Sequence, residues 1–224
     1  MSASMYWDAR KWDGDKRSWL GVLEFQETAW RSRIALEAPP DRSGTEAEIQ
    51  YLLDLANSER APHLTDIQAQ VNAPWKYYFA ILSEVAKKPV SDATHPYTFR
   101  LMHMLAHVSS SLMHHYKHHF KRNRPSSFDT RVSTAIAVPG HPSYPSGHST
   151  QAHLVSLGLA DFVPEARESL LALARDIAVN RERAGLHYPS DTEAGRSLAR
   201  QAFAILRTCP IYLTTLDDAL MEWP

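Results

Sequence analysis

The longest unbroken helical pattern in the chain runs over residues 96–121, and it constrains everything that can form around it. Leu101, Met104, Leu105, Val108, Leu112 and Met113 recur three or four residues apart, which places them on one stripe of a helix. A stripe of that length must be covered by other elements, and the rest of the chain offers further helices. Segment 17–37 repeats Leu20, Leu23, Ala29, Trp30 and Ile34 at helical spacing until Pro39–Pro40 interrupts it. Thr45 and Glu48 form a capping-box pattern ahead of Ile49, Leu52, Leu53 and Ala56. A short helix is expected over 63–72. Another is expected from Pro74, carrying Trp75, Tyr78, Phe79 and Leu82 and ended by Pro89. Residues 122–146 read as a Pro/Ser-rich loop with no regular element. Helices are expected again over 147–162, from Pro164 to about 184, from a second capping box at Ser190 and Glu193 to about 207, and over 211–221. Period-two alternation is confined to Arg131–Val138. Repeats and domain boundaries are absent from the pattern, so the expectation is one all-α helical bundle over residues 1–224.

Charge narrows the function. Lys plus Arg number 24 against 25 Asp plus Glu, a net charge of −1. A balanced chain lacks the basic field that nucleic acid or a membrane surface requires. Selectivity for an anion must therefore come from local placement of cations. Cys209 is the single cysteine, which excludes an internal disulfide and fits a reducing compartment. The first nineteen residues scatter charges where a secretory leader needs an apolar core, and no segment approaches a membrane span. These features lead us to expect a cytoplasmic protein without membrane insertion; a homo-oligomer is compatible with them.

Three segments carry the chemistry. In Lys117-His-His-Phe-Lys-Arg-Asn-Arg124-Pro125, Lys117 and Arg124 lie seven residues apart, near two helical turns, and can project to one side. An arginine there offers a planar fork for two phosphate oxygens, and a lysine adds a compact charge. Tyr144-Pro-Ser146-Gly147-His148 is a turn entering a helix, where free backbone N–H groups attract anions. Ser146 can add a hydroxyl there, Gly147 permits close backbone approach, and His148 has a pKa suited to acid–base work. In Arg181-Glu-Arg-Ala-Gly-Leu-His187-Tyr-Pro-Ser-Asp191, Asp191 can accept the Nδ1 proton of His187 and leave the Nε2 lone pair facing an anion.

Taken together, Lys-x6-Arg-Pro, Pro-Ser-Gly-His and Arg-x5-His-x3-Asp resemble the signature shared by type 2 phosphatidic acid phosphatases, bacterial class A acid phosphatases and vanadium haloperoxidases. The matching positions are Lys117, Arg124, Pro125, Pro145, Ser146, Gly147, His148, Arg181, His187 and Asp191. The resemblance covers about residues 95–205 and departs from the pattern at Asn180, where serine is usual; residues 1–90 have no assigned role. It implies a helical bundle of the acid phosphatase/vanadium haloperoxidase type. Lys117, Arg124, Ser146, Gly147 and Arg181 would cradle phosphate or vanadate, with His187, His148 and Asp191 catalytic and no metal ligand otherwise. In a phosphatase, His187 would form a phosphohistidine on a small soluble phosphoester, His148 would protonate the leaving alcohol, and no cofactor would be needed. A haloperoxidase would hold vanadate axially on His187, and a binding protein would keep the anion without turnover.

One cluster stands outside this pattern. His103 and His107, His114 and His118, and His115 and His119 are each four apart, a metal-ligand spacing. No Asp or Glu occurs within 93–128, which favours a polar helix face over a metal site. His141 either lines the pocket near the anion loop or is exposed in the loop, with the second reading preferred, and Gln151 and His153 read as packing or surface residues.

Overall fold

The computed structural model describes residues 12–72 and 74–223, and among these no strand occurs. Residues 1–11, which carry most of the segment read as lacking a leader, lie outside the described residues. The elements are α1 (Gly14–Glu27), α2 (Trp30–Arg33), α3 (Arg42–Ser58), α4 (Arg60–Ala69), α5 (Trp75–Ala86) and α6 (Pro96–Phe120). They continue with α7 (Pro125–Phe128), α8 (Gly147–Phe162), a 3-10 turn (Pro164–Ala166), α9 (Arg167–Arg183), α10 (Pro189–Leu206) and α11 (Pro210–Leu220).

Helix α6 is the axis, and its expected stripe is buried from Leu101 to Met113. It starts with Pro96 at the first helical position, where the missing N–H is no loss and φ is already helical. It packs against α1, α8 and α11, while α8 packs in turn on α9 and α10. Val22 and Phe25, Leu101 to Leu112, Leu154 to Phe162, Leu170 to Ile177 and Leu198 to Leu206 share one apolar cluster with Tyr212. Burial of such side chains contributes about 25 cal/mol per Å² of apolar surface and is the main force assembling the bundle.

Local signals misplaced several details. The first expected helix is divided, with Thr28 in extended conformation between α1 and α2. Its buried face carries Val22 and Phe25, so Leu23 is 60% exposed. Helix α3 is capped by Asp41, which accepts from Gly44 N at 2.9 Å, and not by Thr45, which sits one turn inside. Helix α10 begins at Pro189; the Asp191 carboxylate accepts from Tyr188 N at 3.2 Å, so Ser190 and Glu193 form no capping box. Residues 131–138 form turns. Val132 plugs into Ile49, Leu52 and Tyr188, and Ile136 leans on Ile67 and Leu186. The brief alternation is therefore a loop with one face buried.

Candidate active site

The three segments meet where α6 ends and α8 and α10 begin. Lys121 closes α6 in the left-handed region at φ 52°, a conformation that favours glycine, and turns the chain sharply outward. After that turn Arg122 and Arg124 serve different partners. Ser146 caps α8, its Oγ accepting from Ser149 N at 3.3 Å, and its own N–H donates to Asp191 O at 2.9 Å. That backbone bond ties the first turns of α8 and α10 together. Gly195 permits the approach, because a Cβ there would lie 2.7 Å from Ser146 O. Gly185 ends α9 at φ +73° with Ser133 O only 2.5 Å from where a Cβ would stand, and it swings His187 inward.

A cavity of about 230 Å³ opens between these ends. Ser109, Ser110, Arg124, His141, Gly147, His148, Arg181 and His187 supply its polar lining together with Gln151, which the sequence placed in packing or on the surface, while Val71, Met113, Ile136, Ala137, Pro139 and Leu186 supply apolar wall. His187 is 3% exposed, and its Nδ1 lies 2.9 Å from Asp191 Oδ2. A buried carboxylate at that distance accepts the Nδ1 proton, which leaves a lone pair on Nε2, 3.2 Å from Arg124 Nη1. Burial lowers the His187 pKa to about 3; Asp191 opposes that shift, and Lys117 and Arg124 add to it. Asp191 is itself fully buried. Burial alone would raise its pKa, but hydrogen bonds and charge from His187, Arg122 and Ser143 hold it below the usual carboxylate range.

His148 lies on the same cavity, its Nε2 2.9 Å from Gln70 O. Burial and the charge of Arg181 lower its pKa to about 4, against the hydrogen bonds it donates to the backbone of Gln70 and Val71. Arg181 has no exposed surface. One nitrogen, Nη2, donates to Ile67 O at 2.9 Å and to Gln70 Oε1 at 3.4 Å, while Nε and Nη1 have no hydrogen-bond partner. Leaving charged donors buried and unpaired is costly, so they point to a partner outside the protein. The donors suit a tetrahedral oxyanion.

The sequence-derived site residues therefore converge, with two qualifications. Lys117 is buried and its Nζ donates to Pro142 O at 2.6 Å and Ser143 O at 2.7 Å, holding the approach to the anion loop. Burial and Arg124 lower its pKa to about 7, opposed by Asp191. The Ser146 hydroxyl is engaged as a helix cap. Neither side chain lines the cavity, whereas Arg124, Gly147, His148, Arg181 and His187 do.

Several contributing residues had no role assigned from sequence. Arg122 donates to Asp191 Oδ1 at 2.7 Å, to Ser190 Oγ at 2.7 Å and to Glu48 Oε2 at 2.8 Å, and it lies 3.8 Å over the Tyr188 ring. Ser143 makes a short hydrogen bond to Asp191 Oδ2. Gln70 and Ile67 hold His148 and Arg181 from α4 and the turn after it. Arg122 lies inside the Lys-x6-Arg spacing, but nothing local ties it to Asp191, 69 residues away; Gln70 and Ile67 carry no local signal.

The histidine run on α6 mostly packs against aromatic rings. His107 stacks on Trp19 with centroids 4.6 Å apart, His103 meets Phe99 at 4.4 Å and His115 meets Trp30 at 4.9 Å. Among the described residues no three His, Cys, Asp or Glu side chains gather as a metal site.

The family model of the PAP2 superfamily matches residues 99–214. A non-specific acid phosphatase of Providencia stuartii is 26% identical over 203 residues, covering 85% of this chain and 80% of its own. Another, of Salmonella typhimurium, is 35% identical over 110 residues, covering 47% of this chain and 44% of its own. A bacterial vanadium-dependent iodoperoxidase of known structure aligns with a TM-score of 0.60 at 15% identity, over 79% of this chain and 52% of its own. At that identity the likeness is one of fold: the same helical architecture.

Proposed function

The chain belongs to the PAP2 superfamily, and on that premise we propose that it hydrolyses phosphomonoesters at this cavity through a phosphohistidine on His187. The observation that carries the reading is the pair of unpartnered N–H groups on Arg181, buried beside the same cavity as the Nε2 lone pair of His187. A phosphoryl group seated there would take hydrogen bonds from Arg181, from Arg124 and from the Gly147 amide at the start of α8. Its phosphorus would then face His187 Nε2.

The Nε2 lone pair forms the P–N bond as the P–O bond to the alcohol breaks. His148 supplies the proton to the departing oxygen. The positive charge that appears on His187 is met by Asp191 at Nδ1, 2.9 Å away. His148 then takes a proton from water, the resulting hydroxide attacks phosphorus, and the P–N bond breaks to return neutral His187. A neutral His148, held near pKa 4 in the free protein, acquires its proton more readily once a dianion sits beside it. Lys117 supports this arrangement through the 142–143 carbonyls and adds positive charge nearby.

Cavity size and lining favour a small phosphoester with an apolar leaving group. No helix among the described residues is long and apolar enough to cross a membrane, in keeping with a substrate presented in water. Vanadate has the shape and charge of phosphate, and when bound it would supply halide oxidation by peroxide. Arg124, Gly147, Arg181 and His187 Nε2 would hold it.

The test is p-nitrophenyl phosphate hydrolysis in the presence of EDTA. Activity should survive chelation, because the anion's charge is met by arginines, and should fall about 10³-fold or more in His187→Ala. Protein quenched in alkaline detergent, where the P–N bond survives, should carry a phosphohistidine that His187→Ala lacks. Dye bromination by peroxide that requires added vanadate, without phosphatase turnover, would replace this reading with the haloperoxidase one. Phosphate binding without either activity would make it a binding protein.

A further inference from the structure

A second group of cations lies on the other side of α8. His153 follows His148 by five residues, about 140° further round the helix, and it faces a separate recess between α8, α9 and α10. The recess holds about 210 Å³ and is lined by His153, Leu157, Arg167, Leu171, Arg175, Arg196 and Arg200, none of which lines the catalytic cavity. The placement is built into the helices. Arg196 and Arg200 are four apart on α10, and Arg167 and Arg175 are eight apart on α9, so each pair shares a helix face.

Two observations mark this as more than a solvated patch. Arg196 is held by Glu193 at 2.8 Å, whereas the side chains of Arg167, Arg175 and Arg200 form no ion pair or hydrogen bond with any described residue. Three like charges converging on one recess, with a single carboxylate committed to the fourth, repel one another. Beneath them His153 is 5% exposed, and its Nδ1 lies 2.8 Å from Ser149 O, while its Nε2 is buried without a partner. The Nδ1 proton goes to that carbonyl, so the neutral ring presents an Nε2 lone pair. That nitrogen can accept from a P–OH, or take up a proton and donate to a P–O⁻ oxygen.

We propose that this recess is a second anion site, which takes a multiply charged phosphate group on the four arginines with His153 at its floor. Leu157 and Leu171 give the ligand a small apolar surface to rest on. The site is independent of the catalytic reading and stands or falls without it.

The experiment follows the His153 ring Cε1–H resonance, identified by its loss in His153→Gln, during titration of the full chain with inorganic phosphate and then pyrophosphate. Saturable movement is expected in the wild type and in His187→Ala alike. In the double variant Arg175→Ala/Arg200→Ala, whose side chains are exposed and whose Tm should be unchanged, affinity should weaken by about tenfold or more. A resonance that does not move, moves without saturating, or responds equally in the double variant overturns the proposal. Co-sedimentation with phosphatidylcholine vesicles only when they contain phosphatidic acid, lost in the double variant, would identify a lipid headgroup as the source of the phosphate. A resonance that saturates without co-sedimentation would identify a free phosphate.

Discussion

Asp191 binds His187 with one carboxylate oxygen and Arg122 with the other, and both contacts are out of water. The shared carboxylate orients the imidazole and stays ionised when the ring becomes cationic. Asp191→Asn keeps the shape and removes the charge, so kcat should fall about 10²-fold or more with little change in KM. Loss of a buried ionic partner should also lower Tm, readable by calorimetry. Acid should unfold the free protein by way of its histidines. His187 and His148 titrate near 3 and 4 when folded but near their ordinary value when unfolded. The unfolded chain therefore binds more protons below about pH 6.5, and stability falls as pH drops from there through the folded values. Denaturation midpoints measured from pH 7 to pH 4 should decline, and His148→Asn should flatten the slope; an unchanged slope would contradict the burial argument. At this scale the motif residues were legible, because Arg-x5-His-x3-Asp carries its own geometry. Arg122 and Ser143 were missed because their role is to bind Asp191, which only the folded chain brings to them.

Between elements, the decisive contact is the crossing of α8 and α10. Ser146 N donates to Asp191 O across it, and the Gly195 Cα packs against Ser149. Gly195→Ala would put a methyl 2.7 Å from Ser146 O and 2.8 Å from Ser149 Cβ, both rigid. Overpacking of that kind costs about 1–3 kcal/mol, and here it also separates the anion loop from His187. A lower Tm together with a lower kcat is expected; loss of stability alone would mean that the crossing does not position the site. The helices themselves were largely readable. Segment 96–121 became Pro96–Phe120 because proline, an apolar stripe and no competing break agree. Caps were less readable: Thr45 and Glu48 fit a capping box, but Glu48 is committed to Arg122 and to Ser190 N, 142 residues away. Tertiary demand overrode a local pattern.

For the molecule as a whole, the N-terminal helices close the back of a site whose recognisable residues all lie in the C-terminal half. Arg60 reaches Arg183 O and Ser133 O, and Ile67 and Gln70 hold Arg181 and His148. Residues 12–72 show no motif because they contribute through packing, backbone carbonyls and single side chains such as Glu48 and Arg60, which are scattered along the chain and form no local pattern. The free protein keeps Arg181 partly unpaired, so an anion should stabilise it. At phosphate concentrations one hundred times its Kd, binding adds about 2.7 kcal/mol to folding, a rise in Tm that Arg181→Ala should greatly reduce.

The most direct measurement is a crystal structure of the full chain with vanadate. The anion should sit in the cavity lined by His187 and His148, with its oxygens within hydrogen-bond reach of Arg181 Nε and Nη1 and of Arg124. An anion bound elsewhere, or an Arg181 whose free nitrogens remain without an oxygen partner, would contradict the account.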